Sequence, residues 1–332
     1  WEDRIVISPH IGEMDSARSL DVFEHTIADL QSLYAVKAQH IICDAHPGYI
    51  TTRWAKQNAK KLGIPVTPVL HHHAHASSAY YECNSHITDA ANDIMVFTWD
   101  GVGYGEDGTL WGGETFIGRP DHWLRIATIR PFRLPGGDKA GREPWRSAAA
   151  LCWESDTAYD DIPETDPLLK QAWQQKINSP VTTSVGRLFD AAAALTGLRT
   201  HASFEGQGPM EPEALCSHTD LVPDPIKLDL HESEGLLTLD WQPLIPMLLD
   251  SGMSRKQRAT VFHSSLAHAI LKQAEIIREK YNISTISFSG GVFQNRVLTE
   301  HAIALLSENN FQVHLPELIP VNDAGISFGQ II

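Results

Sequence analysis

His71-His72-His73-Ala74-His75 places four imidazoles within five positions. The apolar run before it, residues 66–70, reads as a short buried strand, and alanines 74, 76 and 79 read as the start of a helix. Residues four apart share a helix face, so His71 and His75 stand side by side and could bind one metal ion, while His72 and His73 point elsewhere. The plain alternative is a histidine-rich helix cap. An interior position behind a core strand argues against an appended tag.

Other polar motifs stand at the ends of expected strands, where open α/β sheets carry their ligand sites. Asp100-Gly101-Val102-Gly103 falls between two strands. Its glycines would let backbone approach a phosphate, and its carboxylate could hold a metal ion or a water, although such a sequence alone is usually a turn. Ser289-Gly290-Gly291-Val292-Phe293-Gln294-Asn295 follows a strand and opens a helix, a place suited to an anion or nucleotide and equally to a tight turn. Glu205-Gly206-Gln207-Gly208 is a weaker glycine-rich turn. In Asn322-Asp323-Ala324-Gly325 the aspartate reads as a helix cap, or as the carboxylate that completes a two-histidine metal site.

These motifs need a scaffold, and 332 residues suffice for two lobes. Strands are expected at 4–8, 40–43, 65–70, 94–98, 112–117, 125–130, 285–288 and 312–315, and helices at 16–33 and 52–62. Residues 140–275 read as mostly helical, interrupted at 223–239 by a polar loop with room for a short strand pair. A net charge of −15 argues against nonspecific nucleic-acid binding and against anionic membrane surfaces. No apolar run is long enough to span a bilayer. Cys43, Cys83, Cys152 and Cys216 are widely separated, so reduced thiols in a cytoplasmic protein are the expectation.

In order along the chain stand HHHAHA, FTWDGVGYGEDGTLWGGE, LPGGD with REPWR, GRLFDAAAALTG, FEGQ, FSGGVFQNRVL and NDAGISFGQ, with DAHPGY at 44–49. Together they closely resemble the C-terminal carbamoyltransferase region of the HypF family of nickel–iron hydrogenase maturation proteins. That region is similar to the TsaD family, which transfers threonylcarbamoyl to tRNA, and to O-carbamoyltransferases of antibiotic synthesis. The resemblance implies an α/β, two-lobed actin/sugar-kinase-like (ASKHA) fold with ribonuclease-H-like halves. The first lobe would cover 1–93, with its N-terminal phosphate loop missing, and the second 94–332, with a helical insertion at about 140–275.

The implied chemistry is transfer of carbamoyl from carbamoyl adenylate to the C-terminal cysteine thiol of a partner, HypE, on the route to the hydrogenase cyanide ligands. The adenylate would be made from ATP and carbamoyl phosphate by a YrdC-like domain, which these residues do not include. The resemblance also assigns residues. His71, His75 and Asp323 match metal ligands, and Asp100 is a further one; iron or zinc is expected, with Mg²⁺ a third candidate. Gly101 and Gly103 complete the phosphate loop, Asp190 matches a ribose-binding acid, Gly206 would line the nucleoside pocket, and Gly290, Gly291 and Asn295 would hold adenosine. Arg142 and Arg146, beside LPGGD, are the expected catalytic cations that neutralise phosphate or the leaving AMP, while Lys139 reads as solvated. Pro209 and Pro212 depart from the family's alanine-rich stretch. Two other readings fit the motifs: an O-carbamoyltransferase acting on a small hydroxylated acceptor, and a non-catalytic nucleotide-binding docking module. A zinc hydrolase would want an acid/base glutamate within HHHAH, and none stands there.

Overall fold

A computed structural model describes residues 4–12, 14, 16–85, 93–159, 167–216 and 224–332. Two sheets organise them. The smaller is a parallel pair, β1 (Ile41–Asp44) and β2 (Val66–Val69). Helix Ile50–Leu62 connects the two strands and ends on Gly63 in the left-handed conformation. Asp44 pairs with Val69, so both strands finish together, just before the helix His71–Ser85 begins.

The larger sheet is built on β3 (Ile94–Tyr104), whose first seven residues are all buried. It lies antiparallel to β4 (Leu110–Gly118), which pairs with β5 (Leu124–Ile129). Two-residue strands β6 (Phe132–Arg133) and β7 (Val181–Thr182) attach beside β4. Hairpin β8 (Leu230–Ser233) and β9 (Leu236–Leu239) extends the edge beyond β5. On the other side, β10 (Thr285–Ser289) runs parallel to β3, and β11 (Gln312–His314) parallel to β10.

Period-two alternation along β3 sorts its side chains between two cores. Met95, Phe97 and Trp99 enter the main core with Phe288, Phe293 and helix Val185–Leu195. Ile94 and Val96 face a smaller core made by Ala76, Ala79, Tyr80 and Cys83 of the histidine helix. Asp100 continues this second series and so falls on the face that helix covers. Between the pairs Trp99–Gly113 and Gly103–Trp111, β3 advances four residues while β4 advances two. That bulge frees Asp100-Gly101-Val102 from the ladder at the strand's functional end.

Most expected elements form, with shifted ends. Residues 4–8 do not form a strand: Ile5, Val6 and Ile7 are exposed and join no ladder. A β-branched triplet satisfies strand propensity, but a strand also needs a partner. The middle region is helical, including Pro144–Glu154, Pro167–Gln174, Gln207–Leu215, Leu244–Leu249 and the 27-residue helix Arg255–Tyr281. The long helix opens on a Ser254–Gln257 capping box. The suggested strand pair is β8–β9, which belongs to the large sheet; Pro223, in the expected loop, lies outside the described residues. Pro209 and Pro212 both sit within Gln207–Leu215, Pro209 in its first turn where proline is tolerated. No helix among the described residues is long and apolar enough to cross a membrane.

Candidate functional site

The histidine helix starts directly after β2, with its first turn over the ends of β3 and β10. His71 and His75 are 3 % and 1 % exposed, and their ring centroids lie 4.9 Å apart. Each ring is fixed through Nδ1: His71 by the Asp44 carboxylate at 2.9 Å, His75 by the Ser289 hydroxyl at 3.0 Å. Both Nε2 atoms therefore face Asp100 and Asp323. His71 Nε2 lies 3.1 Å from Asp100 and 3.6 Å from Asp323, and His75 Nε2 lies 3.5 Å from each. The backbone N–H of Gly291 donates to the other Asp100 oxygen at 2.8 Å and fixes that carboxylate too.

These four residues offer ligand atoms that all lie within 4.8 Å of one another. Metal bonds of about 2.0–2.1 Å in tetrahedral array set ligand atoms about 3.3 Å apart, close to the four separations above. The Nε2 atom of His75 is buried with no hydrogen-bond partner among the described residues. Two imidazoles held by other groups on Nδ1, facing two carboxylates, make a donor set that fits a divalent iron or zinc ion. The electrostatics agree. Burial alone would lower His71 and His75, but Asp100 and Asp323 outweigh it and raise both, His71 well above its ordinary value with the help of Asp44. Burial would likewise raise Asp100, yet the two histidines facing it hold it well below the carboxylate range.

Asp323 is not the helix cap that its sequence context also allowed. Asn322 takes that role, its side chain accepting from the Ala324 N–H at 3.2 Å, and Asp323 is free to face the histidines. His72 is fully buried beside Trp111, and burial drives its pKa well below the ordinary value. His73 packs edge-on against Phe116. Neither belongs to the four-residue cluster.

The glycines of the surrounding loops have steric reasons to be glycine. A methyl group on Gly103 would lie 2.5 Å from the His72 ring and 2.8 Å from that of His71. Gly290 adopts φ +98°, and a methyl group there would lie 2.2 Å from the Trp99 carbonyl. Gly103, Gly290 and Gly291 thus surround the cluster. Gly101 and Asp190 gather instead around Arg187, and Glu205, the neighbour of Gly206, reaches it at 4.0 Å. Asp190 is 1 % exposed, its carboxylate 3.2 Å from Arg187 Nε and covered by Gly208 of the helix Gln207–Leu215. Burial raises its pKa to about 7 against the pull of Arg187. Above Gly206 the space is open.

Three expected residues sit apart from the cluster. Asn295 caps the helix Arg296–Glu308 through Leu298 N–H at 2.9 Å, and its amide nitrogen reaches His263 at 3.0 Å. Arg146 is buried, donates to Glu143 at 2.6 Å and lies over the Trp145 ring. Arg142 is exposed just after the turn Gly137–Gly141. Asp44 and Ser289, which orient the two histidines, were present in DAHPGY and FSGGVFQN but carried no role. The available signal was their position at the ends of strands that converge on the histidine helix.

Such a site, set between two sheets, fits a Kae1-like carbamoyltransferase domain of the actin/sugar-kinase type. Residues 96–330 match the family described as carbamoyltransferase, Kae1-like domain, second subdomain, and residues 1–82 match the HypF Kae1-like domain. The chain belongs to the HypF family. It is 33 % identical to carbamoyltransferase HypF of Synechocystis sp. over 100 % of this chain and 44 % of that protein. To HypF of Rhizobium leguminosarum bv. viciae it is 35 % identical over 98 % of this chain and 42 % of that protein. The crystal structure of a full-length HypF in a phosphate- and nucleotide-bound form superposes with a TM-score of 0.87 at 29 % identity, covering 97 % of this chain and 50 % of that one. The chain thus spans somewhat under half the length of these two curated relatives.

Proposed function

We propose that this chain is a carbamoyltransferase of hydrogenase maturation, passing the carbamoyl group of carbamoyl adenylate to the C-terminal cysteine thiol of HypE. The observation that carries the reading is the cluster His71, His75, Asp100 and Asp323, prepared by Asp44 and Ser289, in a member of the HypF family. An iron or zinc ion held by those four residues would supply Lewis acidity toward carbonyl or phosphate oxygens.

The chain's own groups then do the rest. Gly101, Gly103, Gly206, Gly290 and Gly291 would border the nucleotide, with open space beside Gly206, and Asp190 would take its ribose. In the transfer, the acceptor thiolate forms a C–S bond to the carbamoyl carbon. The C–O bond to the phosphate breaks, and AMP leaves with the electron pair. The thiol proton is lost to solvent. A mixed anhydride is already activated, so positioning and charge stabilisation suffice. No cysteine of the chain is needed as nucleophile: burial pushes the Cys83 thiol up to about 11 and Cys152 up to about 12, away from the reactive thiolate. The adenylate-forming YrdC-like domain would act as the supplying partner.

The test is direct. Protein loaded with iron or zinc, synthetic carbamoyl adenylate and a peptide with the HypE C-terminus are mixed, and the peptide is weighed by mass spectrometry. A thiocarboxamide on its terminal cysteine is expected. An unmodified peptide with both metals would refute the proposal.

A further inference from the structure

Arg187 is 5 % exposed and rises from the first turn of the helix Val185–Leu195. A guanidinium carries five N–H donors. This one makes an ion pair through Nε with Asp190 at 3.2 Å and a distant one from Nη2 to Glu205 at 4.0 Å. Its two terminal nitrogens make no hydrogen bond among the described residues. The terminal nitrogens are thus open to acceptor oxygens that the described residues do not supply.

Two glycines border the terminal nitrogens, with the Glu205 carboxylate 3.5 Å from where a Gly101 side chain would begin. A methyl group on Gly141 would come within 2.9 Å of Nη1, and one on Gly101 would stand 3.8 Å from Nη2. Gly101 directly follows Asp100 of the four-residue cluster, and Ser184 ties the two parts together. Its hydroxyl donates to the Asp100 carbonyl at 3.0 Å, meets that of Gly101, and accepts the Arg187 backbone N–H at 3.0 Å. Arg187 is thereby held rigidly against the loop Asp100–Gly103. Arg146, by contrast, is engaged by Glu143 and Trp145.

We propose that Arg187 is the phosphate-binding cation of this cleft: its Nη groups donate to the phosphate of a nucleoside monophosphate lying between Gly101 and Gly141, while Asp190 holds the guanidinium in place. Arginine suits the task because its planar fork matches two phosphate oxygens at once. The proposal rests on the nucleotide reading above and adds the residue that reads the charge.

Calorimetric titration of AMP, adenosine and inorganic phosphate into the metal-loaded chain tests it. Arg187→Gln should weaken AMP and phosphate binding by about tenfold to hundredfold, the loss of charge-assisted hydrogen bonds. Adenosine affinity and metal content should not change. Gly141→Ala keeps the charge but displaces Nη1, and should weaken AMP in the same direction; it also serves where Arg187→Gln does not fold. Unchanged AMP affinity in a folded variant would reduce Arg187 to a structural ion pair. Equal losses for AMP and adenosine would likewise overturn a phosphate contact. If the unaltered chain binds no AMP, the nucleotide reading itself falls, and this inference with it.

Discussion

His71 and His75 on one helix, and His263 on another, are equally hidden from solvent, at 3 %, 1 % and 1 % exposed. Their rings are used in opposite ways. His263 donates from Nδ1 to the Ala259 carbonyl at 2.8 Å and accepts at Nε2 from Asn295 at 3.0 Å, with Phe189 and Phe262 packed edge-on around it. Every polar atom of that ring is satisfied by a neutral partner, and burial lowers its pKa to about 4. His71 and His75 are held through Nδ1, and their Nε2 atoms converge on the Asp100 and Asp323 carboxylates. Burial of a histidine therefore says little by itself. What separates a packing histidine from a ligand is whether its second nitrogen meets a single neutral partner or converges with another on shared carboxylates.

The largest effect should come from removing a converging nitrogen. His71→Ala and His75→Ala should abolish metal binding, measured by elemental analysis of the purified chain, while circular dichroism stays that of a folded protein. Full occupancy in either variant would break the contrast. His263→Gln should leave metal content untouched, since the described partners of His263 lie outside the cluster. A smaller effect is expected one step back. Asp44→Asn keeps the shape beside His71 Nδ1 but removes the charge, and should lower metal affinity by about tenfold to hundredfold in chelator competition. An unchanged affinity would make Asp44 a packing residue rather than an orienting one.

The sequence carried part of this contrast. His71 and His75 were legible because helical spacing is local and the cluster is dense. Asp100 and Asp323 lie far from them along the chain; each read as one possible metal carboxylate in its own turn, and the family motifs gave the full set. Asp44 and Ser289 carried no role, because a hydrogen bond to a particular ring nitrogen depends on how β1, β2 and β10 end relative to the helix. The same limit applies to Asn295: its motif did not announce that its amide caps a helix and reaches His263. Strand propensity at Ile5-Val6-Ile7 was real, yet no strand among the described residues pairs with it. Local chemistry is written in neighbouring residues; convergence and pairing are written in register, which spacing alone does not contain.

The smallest expected effect is a pH dependence that belongs to the satisfied histidine alone. With His263 lowered to about 4 by burial, and by the nearby His301 in the same direction, the unfolded chain takes up its proton first as pH falls below about 6.5. Protons bound only by the unfolded chain pull the equilibrium toward unfolding, so stability drops between about pH 6.5 and 4 and levels off below. Linkage sets the loss from this one residue at about 1 kcal/mol between pH 7 and 5.5. Denaturant unfolding at fixed metal content should show a shallower slope over that interval for His263→Gln than for the parent chain, whatever the variant's absolute stability. Identical slopes would mean that His263 is already protonated in the folded chain. Its Nε2 could then no longer accept from Asn295, and the distinction between a satisfied and a converging histidine would have to be drawn elsewhere.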